Sequence, residues 1–190
     1  MTDEVPIVDF EYKVLTELPA NNLRVVYIPN EGAGVGRDGV MVKFIPPEGD
    51  SWIGIFAFGD MLPSGECKIY LGPGKHHLTI IAKGEAYIAS PYDPSLFQTV
   101  RSCPVIGAIP IPNRDLILFY DFTEISAYGE NGLVWETKRI SWDGIKINEV
   151  TSNEIIGQSW DAPNEEHVEF RVDLTNGFHK GGAAPPEYPS

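Results

Sequence analysis

Cysteine, basic residues, helix signals and long apolar runs are what this sequence has least of. Two cysteines, Cys67 and Cys103, in 190 residues supply no disulfide framework, which excludes the small secreted scaffolds that depend on one. The expectation is two separate thiols, packed as small apolar groups in a reducing compartment. The longest apolar stretch, Val105-Ile-Gly-Ala-Ile-Pro-Ile-Pro112, falls far short of the ~20 residues that cross a bilayer as a helix. The opening Met-Thr-Asp-Glu-Val-Pro lacks the basic-then-apolar order of a secretion signal. A soluble, cytoplasmic chain without membrane contact is expected.

Lysine and arginine number 14 against 27 acidic residues, a net charge of −13. Residues 1–95 hold 13 acids and 7 bases (−6), and residues 96–190 hold 14 and 7 (−7), so the charge is spread rather than carried on a tail. Such a field repels phosphate backbones and argues against direct nucleic-acid binding. It speeds encounter with a basic partner instead.

One short stretch, Asp93-Pro-Ser-Leu-Phe-Gln-Thr-Val100, has a helix start, with Asp93 as cap and Pro94 at the first helical position. Everything else reads as β-branched or aromatic runs broken every eight to twelve residues by Gly, Pro, Asn or Asp, the spacing of a sandwich or barrel. In the N-terminal half the runs are 23–28, 40–45, 52–58, 67–71, 78–82 and 85–89. In the C-terminal half they are 116–121, 124–128, 133–140, 145–150, 154–160 and 167–174. The last is the clearest. Val168, Phe170, Val172 and Leu174 point one way, and Glu169, Arg171 and Asp173 the other, so one face is buried and one is wet.

The joints Gly129-Glu-Asn-Gly132, Trp142-Asp-Gly144 and Thr151-Ser-Asn153 have the residues of tight turns. They make the C-terminal half an antiparallel meander. Residues 103–113 contain three prolines and read as a crossover between sheets, at an edge rather than in a sheet centre. The fold class is therefore all-β. A two-layer antiparallel β-sandwich with a C-terminal β-meander is expected, with a partly open barrel and a short propeller-like arrangement as alternatives. One domain is expected over 1–176, followed by a Pro/Gly-rich mobile tail, 177–190. Residues Ala127-Tyr-Gly-Glu-Asn-Gly-Leu-Val-Trp-Glu136 resemble the hairpin of a β-propeller blade. No comparable Gly-Trp unit recurs in residues 1–100, as a propeller's ~40-residue repeat requires, and no family is assigned.

Few motifs carry chemistry. Gly34-Val-Gly-Arg-Asp-Gly39 matches a dinucleotide fingerprint, but it leads into a strand, not into the helix that must meet the pyrophosphate. His76 and His77 are adjacent on a strand-like run and face opposite sides, and no metal-ligand spacing is present. Pro185-Pro-Glu-Tyr188 fits a WW-type ligand pattern, a four-residue match of low specificity. There is no nucleophile elbow. No cofactor, metal or catalytic residue is assigned, and a hydrolase site assembled from distant residues stays open. Eight tyrosines and four tryptophans also leave a carbohydrate-binding reading, which requires exposed coplanar rings.

The tripeptide Ser-Trp-Asp occurs twice, at 141–143 and 159–161. The segment 143–170 holds seven acids against one base, Lys146. Trp142, Asp143, Trp160, Asp161, Glu165 and Glu166 are accordingly the candidate partner-binding residues. The expectation is a non-catalytic protein whose acidic surface engages another, basic protein, in the manner of small inhibitor or immunity-type proteins.

Overall fold

The computed structural model describes residues 8–20, 22–29, 38–61 and 65–185. Among these there is no α-helix, only a short 3₁₀ turn at Pro112–Arg114, and sixteen strands in four sheets. Among the described residues no helix is long and apolar enough to cross a membrane.

The first sheet contains β1 (Glu11–Leu15), β2 (Arg24–Ile28), β3 (Gly39–Ile45) and β4 (Trp52–Ala57) in the order β1-β3-β4-β2, with β2 parallel to β4. The other three are meanders in chain order. They are β5 (Cys67–Leu71), β6 (Leu78–Ala82), β7 (Glu85–Ala89) and β8 (Phe97–Thr99); then β9 (Gly107–Ile111), β10 (Leu116–Tyr120), β11 (Ile125–Gly129) and β12 (Gly132–Glu136); then β13 (Ile145–Val150), β14 (Glu154–Asp161), β15 (Glu166–Asp173) and β16 (His179–Gly181).

The sheets pack face to face in sequence order, and the expected sandwich extends to four layers. Val42, Phe44, Trp52 and Phe56 of the first sheet meet Leu78, Ile80 and Tyr87 of the second. Ile81, Ala86 and Ile88 of the second meet Ile117, Phe119 and Tyr128 of the third. Leu118, Ile125, Ala127 and Trp135 of the third meet Ile155, Phe170 and Val172 of the fourth. Among the described residues no cluster joins the first sheet to the last, and none of the sheets closes into a barrel.

Period-two alternation explains the stacking. In β6, Ile80 faces the first sheet and Ile81 the third, and in β10, Leu118 faces the fourth sheet while Ile117 and Phe119 face the second. A strand covered on both sides needs mostly apolar residues on both faces, and β6 and β11 are buried throughout, with β7 buried from Ala86 to Ala89. Each large side chain so buried contributes about 1.5–3 kcal/mol. β15 lies in the end sheet, and its alternation is as expected, with Phe170 and Val172 buried and Glu169, Arg171 and Asp173 exposed.

Three sequence expectations are corrected in detail. Residues 93–100 form a turn and β8, not a helix. Asp93 Oδ1 accepts from the Ser95 amide at 2.8 Å and from its hydroxyl at 2.7 Å, so the cap closes a turn. Leu96 N then donates to Asp93 O at 3.0 Å. Trp142-Asp-Gly144 is the bend between the third and fourth sheets rather than a hairpin. Gly144, at φ +122, supplies the backbone conformation that this bend needs. The proline-rich 103–113 is at an edge, as expected: it crosses between sheets and forms the edge strand β9, where Pro110 is tolerated. Within 177–190, His179–Gly181 pairs with β15. Residues 30–37 of the glycine-rich loop and 186–190 of the tail lie outside the described residues.

Candidate functional site

The two Ser-Trp-Asp copies come together at one end of the fourth sheet. Register places Ile145 opposite Ser159, and the pairing continues past the end of β13. Trp160 N donates to Gly144 O at 3.1 Å, and Trp142 N donates to Trp160 O at 3.1 Å. Ser141 knots the join. Its fully buried hydroxyl donates to Gly144 O at 2.8 Å and accepts from Trp160 N at 3.1 Å. The Arg139 guanidinium holds the bend from outside, donating to Ser141 O at 2.9 Å and Trp142 O at 2.7 Å.

Trp142 and Trp160 are half-buried. Trp160 meets His167, its cross-strand partner, ring edge to ring face at 5.1 Å. Asp143 is exposed, and Asp161 begins the turn that returns as β15, where its Oδ2 accepts from Asn164 Nδ2 at 2.8 Å. Glu165 and Glu166 are exposed on the same turn, with Glu165 at φ +54. No cation pairs with Asp143, Asp161, Glu165 or Glu166 among the described residues. The six candidate residues thus share one end of one sheet. The arrangement is an acidic rim around two partly covered indoles. Trp52 and Trp135 are buried, each donating its indole N–H to a carbonyl, Pro91 O and Leu174 O.

A second grouping lies at the opposite end of the stack and was not legible in the sequence. The space between the first two sheets opens into a cleft of about 800 Å³ lined by residues including Asn22, Arg24, Asp50, Ser51, Trp52 and Tyr92. At its rim the Tyr92 hydroxyl donates to Asp9 Oδ1, and His76 Nδ1 lies 3.3 Å from Asp9 Oδ2. Partial burial and the bond to Asp9 push the Tyr92 phenol up to about 12. The bond from Tyr92 holds the Asp9 carboxyl below its ordinary range, with a smaller contribution from His76.

The carboxylate stands between imidazole and hydroxyl. In a nucleophile-activating triad the imidazole stands between them, so that it can take the hydroxyl proton. Here the phenol donates to a carboxylate and becomes harder to ionise. That order does not activate Tyr92. His77 takes a different partner, with Nδ1 3.3 Å from Pro73 O, and burial lowers its pKa.

Cys67 and Cys103 are unpaired thiols, and both are exposed, unlike the packed thiols expected. Burial of its sulfur and the nearby Glu85 carboxylate push the Cys103 thiol up, the direction opposite to a reactive thiolate. No group of three His, Cys, Asp or Glu suited to a metal occurs among the described residues.

Fold and edge together define an acidic all-β protein of stacked four-stranded sheets with a tryptophan-bearing end. No family model, no curated protein and no solved structure matches the chain.

Proposed function

We propose that this chain is a non-catalytic binding protein that takes a basic polypeptide against the acidic, tryptophan-bearing end of its fourth sheet. One observation carries the reading. Trp142 and Trp160 come from two separate connections, are joined main chain to main chain, and are framed by four carboxylates without cationic partners among the described residues. Half-buried indoles are anchors of the kind that dominate interface energetics. The surrounding charge steers a cationic partner and sets its approach. Two unpaired, exposed thiols fit a reducing compartment, and we place the protein in the cytoplasm.

The test is titration of the intact protein with a lysine- and arginine-rich peptide, followed by tryptophan fluorescence. Affinity should fall steeply as salt rises, because exposed charges are screened beyond about 10 Å at 0.1 M. The variant Asp161→Asn/Glu165→Gln/Glu166→Gln should bind more weakly and with a shallower salt dependence. Equal binding of parent and variant at every salt concentration would overturn the proposal.

A further inference from the structure

The cleft at the far end of the stack shares no residue with the acidic edge. Its position is set by the strands that form it. Arg24 is the Cα partner of Trp52 across the parallel β2–β4 pair and shares its face, and that face looks toward the second sheet. Deeper along the same face come Val26 and Ile28, which pack into the junction. At the strand ends the apolar lining stops, and Arg24 emerges into water. The connection between β7 and β8 closes the other side with Tyr92. The Trp52 indole donates to Pro91 O at 2.7 Å across the gap, which fixes the floor.

The groups that converge on this space are chemically mixed. Asn22 supplies an amide, Ser51 a hydroxyl, Arg24 a guanidinium and Asp50 a carboxylate. Arg24 and Asp50 line one cleft with opposite charge, yet no ion pair joins them. Neither side chain makes a hydrogen bond or ion pair with any described residue. The nearby Asp93 carboxylate feels Arg24 only weakly, and is committed to the Ser95 hydroxyl and amide. Tyr92 cannot swing away freely, because Asp9 holds its hydroxyl and His76 rests against its ring at 5.9 Å. The cleft is also in the size range of small-molecule sites, roughly 300–1,000 Å³.

Opposite charges that line one cleft without an ion pair between them, beside the Tyr92 ring, match a ligand that carries both charges itself. We propose that the cleft binds a zwitterion of dipeptide size with an apolar group. Its carboxylate sits on Arg24, where the planar guanidinium makes paired, charge-assisted hydrogen bonds. Its ammonium sits on Asp50, and its apolar group lies against Tyr92.

The experiment is calorimetric titration of the intact protein with the dipeptides Gly-Phe, Gly-Leu and Gly-Gly, and with N-acetyl and C-amide forms of Gly-Phe. Saturable binding of Gly-Phe is expected, stronger than that of Gly-Gly, and weakened about tenfold by either blocking group, as loss of one charged hydrogen-bonding contact implies. Arg24 and Asp50 are both exposed, so their variants should fold. Asp50→Asn should erase the discrimination against the acetylated form, and Arg24→Gln that against the amide. The proposal is overturned if no dipeptide binds saturably, or if free and blocked forms bind equally. It is equally overturned if a neutral disaccharide such as maltose binds with an affinity that Arg24→Gln leaves unchanged.

Discussion

β10 and β15 are both strands with neighbours on each side, and they are made of different residues. β10 reads Leu-Ile-Leu-Phe-Tyr, while β15 reads Glu-His-Val-Glu-Phe-Arg-Val-Asp. The first lies in an inner layer, where one face belongs to the second sheet and the other to the fourth. The second lies in an end layer with one face in water. The central strands β6 and β11 of the inner layers have every position committed to packing. The central strands of the fourth sheet alternate buried and exposed positions, and the carboxylates at their end collect around Trp142 and Trp160. On the proposed reading, cohesion rests chiefly on the inner strands and recognition on the end of the fourth sheet.

The comparison is broken most severely by emptying an inner face. Phe119 is fully buried and meets Tyr128 edge to face at 5.5 Å. Phe119→Ala should lower unfolding free energy by about 3–5 kcal/mol, read by denaturant titration. A smaller change is expected at the join between the two Ser-Trp-Asp copies. Ser141→Ala removes the hydroxyl that links Gly144 and Trp160, and should lower stability by about 0.5–1.5 kcal/mol per bond lost. It should also shift the tryptophan emission, which Phe119→Ala need not do below its unfolding midpoint. On the outer face the effect should nearly vanish. Arg171 pairs with Glu154 at 3.5 Å and Glu169 at 3.1 Å while half-exposed. Arg171→Ala should change stability by at most about 1 kcal/mol.

A titration sharpens the contrast from the cleft side. The Tyr92 phenol is raised from 10.0 to about 12. A raised folded-state pKa means that its contribution is complete below about pH 10 and is lost as pH rises through about 12. Asp9 is shifted the other way, so its contribution is present above the ordinary carboxylate range and is lost as pH falls. Asp9→Asn should bring the Tyr92 midpoint, followed by the phenolate absorbance, back toward 10. An unchanged midpoint would mean that Asp9 does not hold the hydroxyl.

Much of the fold was legible because alternation and turn residues are local signals. Twelve runs fall on observed strands, and the Gly129–Gly132 and Thr151–Asn153 turns join the strands they were expected to join. β9 was hidden by its prolines, and β8 by the capping residues Asp93 and Pro94, which serve a turn as well as a helix. β1 and β16 are short and mixed in polarity. The inner position of β6 and β10 was encoded in Leu78-Thr-Ile-Ile-Ala82 and Leu116-Ile-Leu-Phe-Tyr120, where largely apolar sequence signals cover on both faces.

The acidic edge was legible for the same local reason. An eighteen-residue interval spanning two strands returns the second Trp-Asp beside the first. The cleft was not. It joins residues near 23, 51 and 92, and the Tyr92–Asp9 bond spans 83 positions. No short-range pattern encodes such a meeting.

The most direct test of the division between holding and recognising is the salt dependence of binding to a basic peptide. It should be measured side by side for the parent, Asp161→Asn/Glu165→Gln/Glu166→Gln and Arg171→Ala. Steep salt dependence in the parent and in Arg171→Ala, lost in the triple variant at unchanged unfolding midpoint, is the predicted result. Salt-independent binding in the parent, or a triple variant indistinguishable from it, would contradict the account.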